Sequence, residues 1–393
     1  MNSPATVSNE RSPYATSNIV VHVGFTVAGV VTTMLGPLLP VLMSRWGLTD
    51  ASAGLFFSAQ YFAALAGALT LSSLLVWRGY KMVFVGGFGL MALGVSTLIL
   101  GNHAMGLAAT GVYGYGLGLI LAATNLWVAE IAGAKRAAAI SIVNVAWGLG
   151  AIACPALMAF AHEAQIVPLV LACVGALAGV AAVLLAAMNV EPKSHAAAEA
   201  LAAQPLAGFH FRIAAAMAVY FFLYVGTESS IGGWTAALAK RMGSGSGTIW
   251  PLAPMFFWAG LLVGRIFVPL ILRILKEEKL LVAGLIVGAL GNIALLEVKT
   301  FGTASACGVM IGLGFSSVYP ILVASLVRIF GERARRVGSA MFALGSLGGA
   351  SMPWAVGVIS TRAGALRFGL MLPLASLVVM IALMPVLRRQ AFA

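Results

Sequence analysis

The chain has 393 residues, of which 61% are hydrophobic and only 9% are charged, and its mean hydropathy is +1.02. So few charged side chains cannot cover a water-soluble domain, so the composition excludes a soluble protein and indicates a polytopic membrane protein surrounded by the lipid bilayer. The net charge of +12 does not indicate nucleic-acid binding, because the basic residues lie in short segments between apolar runs, and the three cysteines show neither disulfide-like nor metal-like spacing.

The chain opens with residues 1–17, which are polar and rich in Ser and Asn. They lack the basic, apolar and small-residue order of a signal peptide, so we interpret them as a disordered tail. Twelve apolar segments follow, each about long enough to cross a hydrocarbon core of about 30 Å as a helix. Their predicted bounds are 19–43, 52–76, 82–100, 105–129, 137–160, 167–188, 213–239, 249–272, 280–298, 301–327, 337–359 and 366–387.

The distribution of basic residues predicts the side of the membrane on which each loop lies. If the N-terminus is cytoplasmic, sixteen of the 23 lysines and arginines fall in inner loops and tails, and six fall in outer loops. This bias follows the positive-inside rule, so we expect both termini in the cytoplasm. The expected location is the cell membrane, which in a bacterium is the inner membrane.

The longest polar interruption, residues 189–211, divides the apolar segments into two groups of six and is interpreted as a cytoplasmic linker. The predicted halves are residues 18–188 and residues 212–393. They repeat at an offset near 200 residues, and Gly116-Leu-Gly118 recurs as Gly312-Leu-Gly314. The sequence therefore predicts an all-α membrane protein with twelve transmembrane helices in two six-helix parallel repeats, and a binding site between the halves.

Glu228 lies well inside the seventh segment. An ionised group at the middle of a bilayer costs at least about 2.5 kcal/mol, so such a residue usually faces a protein interior or a water-filled cavity. Tyr220 and Tyr224 precede it by two turns and one turn and share its helical face. Two hydroxyls and a carboxylate on one stripe predict a binding surface, although these groups could instead satisfy one another or a neighbouring helix.

Amides, hydroxyls and aromatic rings dominate the polar residues of the other segments. Amides can bind hydroxyls and rings can cover the apolar face of a sugar, so this chemistry predicts a neutral polyhydroxylated ligand. The amides could also form interhelical hydrogen bonds, and the tryptophans could serve packing. The predicted substrate contacts are Gln60, Asn125, Asn144, Trp147, Tyr224, Glu228, Trp258 and Tyr319.

Charged residues nearer the predicted cytoplasmic ends are interpreted as a gate formed by salt links between helices. They are Arg78, Lys81, Glu130, Arg136 and Arg265. Counted from the cytoplasmic ends of their segments, Arg265 and Glu228 differ in depth by roughly 12 Å. A direct ion pair between these two residues is therefore not expected.

Three patches resemble the fucose/glucose/galactose porter branch of the major facilitator superfamily, and the resemblance to the superfamily covers the whole chain. The patches are Tyr224-Val-Gly-Thr-Glu228 with Gly233-Trp234, Phe257-Trp258-Ala-Gly260 with Gly264-Arg265, and Gly312-Leu-Gly314 with Tyr319-Pro320. The resemblance implies a monomeric transporter that works by alternating access.

Two features depart from the proton-coupled fucose porters, which carry one acid in the first span and another in the fourth. Here the first span has no acid, and Leu121 stands at the position of the fourth-span acid, before the retained Asn125. If transport is coupled to an ion, Glu228 is the remaining carrier within the membrane.

The sequence thus predicts a secondary active transporter that moves a neutral sugar, a hexose, and is coupled to a proton or sodium ion through Glu228. An uncoupled sugar facilitator, an efflux transporter for lipophilic compounds and a sugar sensor remain alternatives. We expect no enzymatic activity, because no nucleophile–base constellation, zinc motif or Walker loop is present in the sequence. Apart from a co-transported ion, no cofactor or metal is expected.

Overall fold

The computed structural model describes residues 14–192, 211–243, 248–330 and 334–391, and the secondary structure within these ranges is helical throughout. The helices form twelve spans, numbered here in chain order. Their bounds are Ala15–Thr33 and Leu35–Trp46 (span 1), Asp50–Thr97 (spans 2 and 3), His103–Ala132 (span 4), Arg136–Glu163 (span 5), Val167–Ala187 (span 6), Phe211–Arg241 (span 7), Ala253–Ile271 (span 8), Glu277–Leu296 (span 9), Phe301–Phe315 and Val318–Phe330 (span 10), Ala334–Ala363 (span 11) and Leu366–Ala391 (span 12).

The helix Asp50–Thr97 accounts for two crossings. Its 48 residues would extend about 72 Å if straight, more than twice the hydrocarbon core. Gly79 interrupts it with a φ of 72°, a left-handed conformation that favours glycine. The segments before and after Gly79 both pack on span 4, because Gly67 approaches Tyr115 and Gly87 approaches Ile120. The chain therefore reverses at Gly79, which confirms the prediction of twelve spans.

Twelve crossings return the chain to the side of the membrane on which it began. We call this the terminal side, because both ends of the chain lie there, and we call the opposite side the far side. Spans 1–6 form the N-half and spans 7–12 form the C-half. Large apolar side chains such as Val76, Leu184 and Ile274 are exposed on the outer surface, as expected of a surface that lipid covers.

The segment after span 6 belongs to the N-half, which corrects two predicted boundaries. Ser17 Oγ donates to the Asn189 carbonyl at 2.8 Å, and the Tyr14 hydroxyl donates to the Glu191 carbonyl at 2.9 Å. The Glu191 carboxylate accepts from the backbone N–H groups of Tyr80 and Lys81 at the start of span 3.

Residues 14–17 are therefore not a disordered tail, since they supply donors to carbonyls that lie beyond the end of a helix. The linker was likewise drawn too wide, because residues 189–191 cap the N-half and span 7 already begins at Phe211. Polar composition marked these segments, but it did not reveal that they are used as hydrogen-bonding groups. The predicted tail residues 1–13 and linker residues 193–210 lie outside the described residues.

Glycines bring equivalent helices into close contact in both halves. A methyl group on Gly150 of span 5 would lie 2.0 Å from the Thr26 carbonyl oxygen of span 1. A methyl group on Gly348 of span 11 would lie 2.0 Å from the Phe222 carbonyl oxygen of span 7. Spans 5 and 1 are thus related as spans 11 and 7 are, which agrees with a parallel six-helix repeat.

The register predicted for the Gly-Leu-Gly repeat was wrong. Gly118 of span 4 lies against Ala64 of span 2, whereas Gly314, its predicted counterpart, lies against span 9. The glycine in the equivalent place is Gly312, which meets Phe257 of span 8. Two residues along a helix correspond to a rotation of about 200°, so the first and second glycines of each Gly-Leu-Gly motif lie on opposite faces of the helix. The second glycine of the first motif therefore corresponds to the first glycine of the second motif.

The close approach at Gly150 predicts a stability difference between two glycine substitutions. Gly150→Ala should lower the melting temperature of the detergent-purified protein, because overpacking of this kind costs about 1–3 kcal/mol. Gly111→Ala should cause no loss, because a methyl group there meets no heavy atom within 4 Å. Thermal unfolding of the two variants beside the wild type measures the difference. Equal melting temperatures would contradict the packing of spans 1 and 5.

Candidate binding site between the two halves

Glu228 and Tyr224 lie one turn apart on span 7, and Arg265 approaches them from span 8. The Tyr224 hydroxyl donates to Glu228 Oε1 at 3.0 Å, and Arg265 Nη2 lies 3.9 Å from the same oxygen. Charge-assisted hydrogen bonds are shorter, about 2.7–2.9 Å. The carboxylate and the guanidinium therefore form a loose ion pair, and their side chains stay 17% and 29% exposed.

The expectation that Glu228 and Arg265 lie too far apart to pair was wrong. Span 7 begins at Phe211 and span 8 ends at Ile271. The ends of the predicted apolar segments therefore do not lie at the same depth in the membrane, and depths counted from them cannot be compared. The long arginine side chain also carries its charge away from its own Cα. The structure accordingly places Arg265 beside Glu228 and not among the charges at the helix ends.

Aromatic rings surround this ion pair. The guanidinium carbon of Arg265 lies 6.0 Å from the centre of the Tyr319 ring, within the range of a cation–π interaction. The Tyr319 and Tyr224 rings lie 5.8 Å apart. Arg265 Nε is buried and finds no hydrogen-bond partner among the described residues. The arginine therefore keeps one N–H that a bound molecule could use.

Two predicted amides meet on the N-half. Asn144 Nδ2 of span 5 donates to Asn125 Oδ1 of span 4 at 3.1 Å and to the Ile140 carbonyl at 2.8 Å. Asn144 is exposed and Asn125 is half-buried. The two amides therefore join spans 4 and 5 while Asn144 remains accessible.

Two tryptophans connect this amide pair with the C-half. Trp147 lies three residues after Asn144, and its Nε1 donates to Thr32 Oγ1 of span 1 at 3.2 Å. Its ring meets the Trp258 ring of span 8 edge-on, with centroids 5.9 Å apart and planes at 84°. Nearby, Ser229 Oγ of span 7 donates to the Tyr61 hydroxyl of span 2 at 2.7 Å. Both contacts bridge the halves, so the predicted residues of spans 5, 7 and 8 are brought together.

Gln60 was predicted as a substrate contact, but the structure uses both ends of its amide inside the N-half. Its Nε2 donates to the Thr32 carbonyl at 3.1 Å, and its Oε1 accepts from the Tyr113 hydroxyl at 2.9 Å. Tyr220, predicted to share a stripe with Glu228, is fully buried and donates to the Met380 carbonyl of span 12. These two side chains hold helices together and are not presented to the site.

The remaining predicted gate residues lie at helix ends on the terminal side. Arg78 is exposed, and its guanidinium carbon lies 4.0 Å from the centre of the Trp77 ring. Lys81 and Glu130 are half-buried, and Arg136 is exposed. Their role as a gate stays a prediction.

The sequence analysis missed the contacts that close the far side. Asp50, the first residue of span 2, forms a bidentate ion pair with Arg241, the last residue of span 7. Ser360 of span 11 also donates to Asp50. The signal was present in the sequence, because Asp50 and Arg241 are opposite charges at the same predicted side of two spans. The sequence analysis counted the basic residues on each side of the membrane, so it included Arg241 but not Asp50.

Further bonds between the halves lie on the same side. Lys240 Nζ donates to Ser44 Oγ at 2.9 Å, and the Ala51 N–H donates to Thr361 Oγ1 at 2.9 Å. Asn144, nearer the terminal side than Trp147 along span 5, is exposed. The site is therefore closed toward the far side and accessible from the terminal side.

Comparison with known proteins agrees with this arrangement. The sequence matches the Major Facilitator Superfamily over residues 21–353, and no curated protein sequence matches the chain. The structure is similar to a bacterial homolog of the human lysosomal transporter Spinster in an inward-facing, occupied conformation, with a TM-score of 0.79 at 13% identity, covering 97% of this chain and 98% of the other.

It is also similar to a D-xylose-proton symporter, with a TM-score of 0.79 at 14% identity, covering 95% of this chain and 97% of the other. For the E. coli fucose:proton symporter the TM-score is 0.62 at 16% identity, covering 95% and 99% of the two chains. At these identities the similarities show a common fold.

The ion pair on the far side predicts how accessibility changes when it is removed. We expect Asp50→Asn to raise the labelling rate of a Ser58→Cys reporter by about fivefold, because a partly exposed ion pair contributes about 1 kcal/mol. Ser58 reports on closure because its Oγ donates to the Ala350 carbonyl across the halves at 2.7 Å. The measurement uses a membrane-impermeant maleimide applied from the far side, with the three native cysteines replaced by alanine.

Glu277→Gln is the matched control for this experiment. It removes the 2.7 Å ion pair between Glu277 and Arg328, which lies within the C-half. Labelling should stay at the wild-type rate in this variant. An equal rise in both variants would show that loss of stability, and not opening of the halves, controls access to the reporter.

Proposed function

The chain belongs to the major facilitator superfamily, and from this premise we propose that it is a secondary active transporter for a neutral sugar, a hexose. In this proposal it resembles the fucose/glucose/galactose porter branch, and transport is coupled to a proton or sodium ion through Glu228. The terminal side is the cytoplasm, as the distribution of basic residues predicts. The arrangement described above is then the inward-facing state.

The observation that carries the proposal is the Glu228–Arg265 ion pair on spans 7 and 8, the two spans that contact the N-half through Ser229 and Trp258. The two charges are 3.9 Å apart and both remain partly exposed. Because they compensate each other, the site is electrically neutral when both are ionised, and a neutral ligand can enter without carrying a counter-charge. A ligand with a net charge would leave an uncompensated charge in a low-dielectric region, which is costly.

The groups around the pair suit a polyhydroxylated ligand. Asn144 offers an exposed amide, Arg265 Nε is an unused donor, and Trp147 and Tyr319 offer aromatic faces. A sugar has hydroxyls for the polar groups and C–H faces for the rings. Two of the structurally similar proteins are a D-xylose-proton symporter and a fucose:proton symporter by name, which supports the same substrate class without deciding the sugar.

In this proposal, sugar transport is coupled to the ion through Glu228 Oε1, the oxygen that Tyr224 and Arg265 both approach. Oε1 receives the Tyr224 hydrogen bond and also faces Arg265. Binding of a proton or sodium ion there removes or offsets the negative charge, so Arg265 is left without its counter-ion. The relative stability of the inward-facing and outward-facing states then depends on the charge of Glu228, because the surroundings of the pair differ between the two states.

Glu228→Gln should separate coupling from translocation. In proteoliposomes, we expect this variant to lose accumulation of labelled hexose driven by a proton or sodium gradient by at least about tenfold. A change of 1.4 kcal/mol, less than a buried charge contributes, is already sufficient. Exchange of labelled for unlabelled hexose at equal ion concentrations should persist, because this step requires no net ion movement.

Two further variants control this experiment. Glu163→Gln changes an exposed acid at the end of span 5 and should leave accumulation unchanged. Glu228→Gln combined with Arg265→Gln restores charge balance, so it shows whether a failure of Glu228→Gln reflects an unpaired arginine. Accumulation by Glu228→Gln with wild-type dependence on both ions would refute coupling through Glu228 and leave an uncoupled facilitator.

A further inference from the structure

A small cavity lies between the halves, on the far-side flank of the Trp147–Trp258 contact. The cavity and its opening to solvent together measure about 300 Å³. Its walls come from span 1 at the break between the two helices, from span 2, and from spans 7 and 8. The residues that matter for its chemistry are Thr33, Tyr61, Ser229 and Trp258.

One hydrogen-bond donor in this cavity has no partner. Trp258 is 8% exposed, and its Nε1 is buried without a hydrogen bond among the described residues. Two fully buried tryptophans use this group, since Trp127 donates to the Val190 carbonyl and Trp234 donates to the Pro353 carbonyl. A buried donor without a partner costs about 1–3 kcal/mol. The free N–H of Trp258 therefore indicates that an acceptor binds in this cavity.

The same cavity also offers groups that can accept hydrogen bonds. Pro37 has no N–H, so the carbonyl four residues before it, that of Thr33, lacks its usual helical donor. The Tyr61 and Ser229 hydroxyls bond to each other at 2.7 Å, and each oxygen has a further lone pair. A donor beside several acceptors matches a hydroxyl group, which is both donor and acceptor. It does not match a bare cation, which the Trp258 N–H would repel.

Glycines limit the size of the occupant. A methyl group on Gly36 would lie 2.4 Å from the Gly232 carbonyl oxygen, and one on Gly232 would lie 2.8 Å from the Trp258 ring. A methyl group on Gly233 would lie 2.5 Å from the Phe57 ring. The backbones of spans 1 and 7 therefore meet directly beside the cavity and narrow it at this end, where a small group fits best.

We propose that this cavity is the subsite for a single hydroxyl or hydroxymethyl group of the transported sugar, with Trp258 Nε1 as the donor to its oxygen. This inference rests on the proposed function, since it assigns one part of the same substrate. The sugar ring lies on the terminal side of the subsite, toward Asn144 and Arg265 and beside the Trp147–Trp258 contact.

The subsite also contacts both halves at once. Tyr61 belongs to span 2, whereas Ser229 and Trp258 belong to spans 7 and 8. A hydroxyl bound there can bond to both halves near the Tyr61–Ser229 bond, which must break when the far side opens. Recognition of this one hydroxyl is therefore tied to the closed state of the far side, and a sugar without it should bind more weakly to that state.

A cycle that combines a protein variant with ligand variants tests the proposal. The probes are whichever of D-glucose, D-galactose and L-fucose raises the melting temperature of the wild type most, and each of its monodeoxy derivatives. Dissociation constants are measured by calorimetry for the wild type and Trp258→Phe. We expect Trp258→Phe to bind the parent sugar about tenfold more weakly. One derivative should bind the wild type about tenfold more weakly, and Trp258→Phe should bind that derivative as the wild type does.

Trp127→Phe is the matched control, because the Trp127 N–H already has a partner at 2.6 Å far from this cavity, and it should bind every probe as the wild type does. If Trp258→Phe does not fold, Tyr61→Phe provides a second cycle on the same cavity and should select the same derivative. A loss that is equal for all derivatives, or no loss at all, would overturn the subsite while the sugar transporter stands. If no hexose binds the wild type, the proposed function fails and the subsite fails with it.

Discussion

The interior of a bilayer contains no water, so the protein itself must satisfy the polar groups that it places there. Gln60 shows how this is done in the N-half, since it uses both ends of its amide to join spans 1, 2 and 4. Other buried polar groups find no partner among the described residues, and two of these groups, Trp258 Nε1 and Arg265 Nε, lie on span 8, which packs against the N-half. Asn292 of span 9 is also buried without partners, and no contact in the structure explains it. Two unpartnered donors at one interface indicate a site that a ligand completes.

Glycine lets the backbones of the two halves meet directly at several points of the same interface. At Gly36 and Gly232 the backbones of spans 1 and 7 meet directly, and Gly357 of span 11 meets the Asp50 carbonyl at the start of span 2. Smooth surfaces of this kind let two rigid halves separate and meet again without repacking their cores. Large aromatic residues such as Tyr113 and Trp127 are buried within the N-half, whereas Trp147 and Trp258 meet across the interface.

The fold was predictable because each membrane span is a long apolar run in the sequence. The positions of these runs indicate all twelve spans. The position of Glu228 was predictable for the same reason, since an acid stands out in such a run. The partners of that acid were not, because Arg265 comes from another span and its depth depends on where each helix begins. Asp50 and Arg241 were missed because the sequence shows which residues end each span but not which ends meet. Gln60 was assigned to the ligand because residue type cannot distinguish an amide that binds a substrate from one that joins helices.

Reversible alternation between two states requires that closure be weak enough for a ligand to influence. The far side is held by an ion pair whose arginine is 39% exposed and by a few hydrogen bonds, and each such contact contributes about 1 kcal/mol or less. Moving a population from about 1:99 to about 99:1 takes about 5.5 kcal/mol of differential binding. One hydroxyl in the cavity beside Trp258 supplies only part of this, so the remainder must come from the sugar ring and from the charge on Glu228. Alternating access therefore requires several weak polar contacts spread over the site. A single strong contact would hold one state and could not be broken in each cycle.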